Sequence, residues 1–178
     1  MIDMYIITTR IKIIIFALSF CVQLFSTEYL IVTHEKFLSA AEDLAQIYNN
    51  STYPEISLET EVFTLTPELQ NSESLNAYIL DRIEQDPNIM YLLLMGDEEH
   101  IPIKNKTDLC ALTDDNGSFT GEFEITYNPS DDLYSMQSNN SGIPQLATGR
   151  LPCSTLNEAS NWVENINQYI NYPTSGLW

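Results

Sequence analysis

An α/β fold built on a mostly parallel sheet of about four strands is what this sequence predicts, and three observations carry the prediction. Short runs of β-forming residues alternate with longer segments whose apolar residues recur at helical spacing, with short links between them. The first strand candidate, Tyr29-Leu30-Ile31-Val32-Thr33, is almost continuously apolar, as a strand covered on both faces is. Two of them, Tyr91-Leu92-Leu93-Leu94-Met95 and Gln145-Leu146-Ala147-Thr148, run into Gly96-Asp97 and Gly149-Arg150. Chemistry in open parallel sheets collects beyond the carboxyl ends of the strands, so these breaks mark a rim made of Gly96, Asp97, Gly149 and Arg150.

The first element is a leader. Arg10 and Lys12 precede an apolar run over residues 13–25 that has the length of a signal-peptide core and is short for a membrane span. Residues 1–26 are therefore expected to direct export and residues 27–178 to form the folded domain. Ser26-Thr27 is the cleavage region, although it lacks the usual small-x-small pattern. Phe20 stands where a lipoprotein box before Cys21 would need a small residue.

Tyr29-Leu30-Ile31-Val32-Thr33 reads as the first strand, buried on both sides. Over residues 35–48, Phe37, Leu38, Ala41, Leu44, Ala45, Ile47 and Tyr48 share one face of a helix. Asn49-Asn50-Ser51-Thr52 and Pro54 end it, and a second strand follows over residues 59–65. Residues 74–84 place Leu75, Tyr78, Ile79 and Ile83 on one helical face, and Asp86-Pro87 closes that helix before the third strand over residues 89–95. The rhythm then changes. Residues 109–112 and 119–127 flank a turn containing Asn116-Gly117, a strong hairpin signal. After a polar stretch comes the fourth parallel strand over residues 145–148. A helix capped by Ser154 or Thr155 and running to about Ile170 should turn Leu156, Ala159, Trp162, Val163, Ile166 and Tyr169 inward.

With 25 acidic residues against seven Lys plus Arg, the formal charge is −18. Binding phosphates needs a cationic face, so nucleic acid and anionic membrane surfaces are excluded as partners. No segment after the leader is apolar enough to cross a bilayer. Phosphate-cradling glycine loops, a Gly-x-Ser-x-Gly elbow and zinc-binding His or Cys pairs are all absent. That removes the support for nucleotide, serine-hydrolase and zinc chemistry.

His34, His100 and Cys153 each follow a predicted strand, and an imidazole can activate a thiol. The three lie on separate loops without an evident orienting group, which favours a half-buried thiol at a helix start over a catalytic one. In an exported protein Cys110 and Cys153 are free to pair, but nothing in the sequence fixes their distance. After Gly96, the Asp97 carboxylate is placed either to pin its own loop by accepting backbone N–H groups or to hold a cation. The Arg150 guanidinium is matched to two-point pairing with Asp97, Asp131 or Asp132. Asp114, Asn116 and Ser118 alternate like calcium-loop oxygens, yet Gly117 is misplaced for such a loop and its last acidic ligand is missing.

The two glycine-terminated strands, Ser130-Asp131-Asp132-Leu133-Tyr134 between them and the helix after Pro152 together resemble the gingipain-type cysteine peptidase domain, in the same order and with similar spacing. The resemblance covers roughly residues 29–178. It implies a three-layer, caspase-like sandwich and proteolysis of protein or peptide substrates. It implies structural calcium too, for which Asp131 and Asp132 are the candidate ligands, and no other cofactor. In that family the catalytic histidine lies in a later His-Gly segment and the nucleophilic cysteine beyond the next strand. Neither is expected within these 178 residues, and the polypeptide alone is expected to be inactive. The competing expectation is a non-catalytic exported module whose acidic rim binds calcium or a protein partner. A receiver-like phosphoacceptor role for Asp97 fits poorly with the leader and the hairpin.

Overall fold

The computed structural model describes residues 27–51, 57–113, 118–136 and 143–171. The leader, residues 114–117 with Asp114 and Asn116, and the side chain of Cys110 lie outside the described residues.

Apolar residues at every position force the first strand, β1 (Tyr29–Thr33), to the middle of the sheet: Leu30, Ile31 and Val32 are fully buried. It pairs in parallel with β2 (Thr60–Thr64) on one side and β3 (Tyr91–Met95) on the other, and β3 pairs in parallel with β6 (Ala147–Leu151). The order is β2-β1-β3-β6. Side chains alternate across the pleat. Ile31, Leu93 and Met95 meet helix α1 (Leu38–Asn49) and helix α3 (Leu156–Asn171) on one face. Leu30, Val32, Leu92 and Leu94 meet helix α2 (Ser72–Gln85) and Tyr134 on the other. Three layers result, helices on both sides of one parallel sheet, as the sequence predicted. No helix among the described residues is long and apolar enough to cross a membrane.

The hairpin strands β4 (Asn105–Thr113) and β5 (Phe119–Pro129) form a separate antiparallel pair, longer at its root than the apolar pattern suggested. A single-turn 3-10 segment, Glu35–Phe37, precedes α1, and another, Asp131–Ser135, follows β5.

Two expectations are corrected. β6 does not stop at Gly149: pairing with β3 carries it on through Leu151, and Gly149 sits mid-strand opposite Leu93. The ladder hydrogen bonds outweigh the flexibility of one glycine. On α3, Ala159, Val163 and Ile170 are buried, whereas Leu156, Trp162 and Tyr169 are exposed, Tyr169 at 62%. The helix packs beside α1 along the narrow Ala159-Val163-Ile170 stripe, so residues on the flank of its apolar arc clear the sheet.

Candidate functional site at the carboxyl rim

All four parallel strands end at the same edge, and the loops leaving β1, β3 and β6 meet there. Gly96 makes this meeting close. Its φ of +144° is one that side chains disfavour, and an added Cβ would lie 3.0 Å from Ile101 Cγ1 and 3.1 Å from His100 Cβ. The turn lets Gly96 N–H donate to the Leu151 carbonyl at 3.0 Å and Asp97 N–H to the Cys153 carbonyl at 3.1 Å. The β3 and β6 loops are thereby joined through their backbones.

Asp97 then pins its own loop. Its carbonyl accepts from His100 N–H and Ile101 N–H, and Oδ1 accepts from Glu99 N–H at 3.2 Å and faces His100 Nδ1 at 2.6 Å. Burial raises the pKa of this carboxyl, but the hydrogen bonds and charge of His100 and the backbone donors outweigh it and leave a net lowering. The other ring nitrogen, Nε2, lies 3.3 Å from Lys36 Nζ, which donates to the Ser154 carbonyl at 2.7 Å. His34 Nδ1 accepts from Lys36 N–H, and the His34 and Phe37 rings stand edge-on to the His100 ring.

Arg150 is the second hub. Of the three carboxylates the sequence offered, Asp131 receives its fork, and the guanidinium also donates to the carbonyls of Gly96, Asp97, Ile101 and Pro102. The Tyr134 hydroxyl donates to Pro102 O, and burial raises its pKa. Behind it Lys104, almost fully buried, donates to Asn76 Oδ1 at 2.6 Å, while Asn76 Nδ2 donates to the carbonyls of Leu133 and Tyr134. Lys36, Asn76 and Lys104 were missed by the sequence reading.

Cys153 is a free thiol, 1% exposed, so the pairing with Cys110 is not made. Burial first, then the charges of Asp97 and Glu158, push its pKa up to about 11. Neither histidine serves it, because the ring contacts just described go to Asp97, Lys36 and the Lys36 backbone. Both oxygens of Asp131 face Arg150, and among the described residues no group of three or more His, Cys, Asp or Glu is arranged to hold a metal ion. What the rim does chemically is fix backbone.

The profile of peptidase family C25 matches residues 23–178. The chain belongs to this family. Its fold is shared by solved structures including a protease (TM-score 0.59, 17% identity, covering 81% of this chain and 28% of that one). Another is the complex of the pro- and mature domains of RgpB from Porphyromonas gingivalis (TM-score 0.58, 19% identity, 80% and 29% covered). A third is the Arg-specific cysteine proteinase gingipain R (TM-score 0.58, 18% identity, 83% and 29% covered). The chain thus spans less than a third of the length of these structures. A search of curated proteins gave no match.

Proposed function

We propose that this family C25 chain supplies the first part of the catalytic domain of an exported cysteine endopeptidase, contributing scaffold and rim while the reacting histidine and cysteine come from residues outside it. The domain would cleave peptide bonds by thiolate attack, with histidine handling the proton and backbone N–H groups holding the oxyanion. The observation that carries the division of labour is the state of Cys153. A thiol that is buried, held protonated and out of contact with either imidazole is no nucleophile. The family match and the shared fold support the reaction class. Export rests on Arg10, Lys12 and the apolar residues 13–25.

Peptide-panel assays of this polypeptide should show no cleavage. Turnover that Cys153→Ala abolishes would overturn the assignment. Fusing residues 1–30 to a reporter active only outside the bacterial cytoplasm tests export, and a silent reporter would refute it.

A further inference from the structure

At the rim one histidine joins three loops, and its hydrogen-bond roles are fixed by its neighbours. His100 Nδ1 faces Asp97 Oδ1, an acceptor that also takes the Glu99 N–H, so Nδ1 carries the proton and donates. Nε2 faces the Lys36 ammonium, which has only donors, so Nε2 must offer its lone pair. Neutral His100 satisfies both contacts in a single tautomer. Lys36 spends its remaining reach on the Ser154 carbonyl, which ties the segment after β1 to the loops after β3 and β6.

We infer that Lys36 and His100 form an acid-released clasp across the rim: protonating His100 puts a second N–H and a positive charge against the Lys36 ammonium, and Lys36 lets go. The geometry determines the direction. At 3.3 Å two donors cannot share a hydrogen bond, and two unit charges repel. Asp97 stays with His100 in both states, because a carboxylate accepts from the imidazolium as well. The charged and titratable groups facing this pair are Asp97 on its own loop, His34 beside Lys36, and Glu158 and Cys153 from the β6–α3 side. The backbone ties from Gly96 and Asp97 to Leu151 and Cys153 do not titrate. Acid therefore turns Lys36 from a bridging donor into a free cation at the mouth of the rim and leaves the β3–β6 edge intact. The inference does not depend on the peptidase assignment.

Nitrogen-15 NMR of the His100 ring and carbon-13 NMR of the Ser154 carbonyl in the full chain test it. At neutral pH the ring should show a protonated Nδ1 and a bare Nε2, and on acidification the Ser154 carbonyl should shift with the same midpoint as His100. In Lys36→Met the carbonyl response should be lost while His100 still titrates. An Nε2-protonated ring at neutral pH, a Ser154 carbonyl that ignores His100, or a response that survives Lys36→Met would each overturn the clasp. If that variant does not fold, the tautomer and the shared midpoint in the unmutated chain decide.

Discussion

Arg150 grips Asp131 at two points, Nε to Oδ2 at 2.9 Å and Nη2 to Oδ1 at 2.7 Å, while its third nitrogen collects carbonyl oxygens from the loop after β3. The strand that ends the sheet thus holds both the turn after Gly96 and the start of the 3-10 segment Asp131–Ser135.

Arg150→Lys keeps the charge and loses the fork. The pair is largely but not wholly buried, with side-chain exposures of 13% and 27%. The loss should therefore fall below that of a fully buried pair, at about 2 kcal/mol. Asp131→Ala should cost a similar amount by stranding the guanidinium. Urea midpoints measure both, and an unchanged midpoint for Arg150→Lys would show that charge alone suffices.

Gly96 and Gly149 should respond oppositely to alanine. At Gly96 the backbone is strained for any side chain and the added methyl meets Ile101 and His100, so about 2 kcal/mol or more should be lost. At Gly149 nothing lies within 4 Å of the added Cβ, so the change should be neutral or gain a few tenths of a kcal/mol, about what reduced chain freedom supplies. Thermal unfolding of the two variants side by side separates these outcomes.

Cys153 should resist thiol reagents while the protein is folded. In a Cys21→Ser, Cys110→Ser background, labelling near neutral pH should be far slower than in denaturant, because the thiol is buried and its pKa stands at about 11. The sign of the linked stability follows. The folded state holds this proton more tightly than the unfolded chain, so the contribution is intact below the ordinary thiol range and is lost as pH rises from there to about 11. Cys153→Ala should flatten that alkaline decline in urea midpoints.

Asn76 feeds Lys104 and two carbonyls at once. Asn76→Ala should cost about 2 kcal/mol by leaving the buried Lys104 ammonium with only the Glu73 carboxylate at 3.3 Å and by removing the donors to the Leu133 and Tyr134 oxygens. Asn76→Asp restores an acceptor for Lys104 but not the donors, so it should stay well below the parent in denaturant titrations. Full recovery would mean that the carbonyl contacts contribute nothing.

Much of the architecture could be read from local pattern. Tyr29-Leu30-Ile31-Val32-Thr33 is apolar without alternation, and a strand of that kind has to be central. Ser154 or Thr155 announced the start of α3, and it is Thr155 whose Oγ1 accepts from Glu158 N–H, with the Glu158 carboxylate accepting from Ser154 N–H in return. The end of β6 could not be read, because Gly149 is kept in the strand by its partner β3, whose distance in sequence no window spans. Trp162 and Tyr169 misled for a related reason: periodicity gives the width of an apolar arc, and packing decides how much of it is covered. The rim was half legible. Gly96, Asp97 and Arg150 stand at strand ends, whereas Lys36 reaches Ser154 across 118 residues and only the folded chain brings them together.

The hairpin strands return to where they left. Asn105 pairs with Pro129, and one residue outside that pair Ser130 N–H donates to the Lys104 carbonyl at 3.0 Å. A stem sealed in this way behaves as a socket: β4 and β5 can be exchanged for a tight turn, a longer ribbon or a foreign epitope while the register of the four parallel strands is left alone.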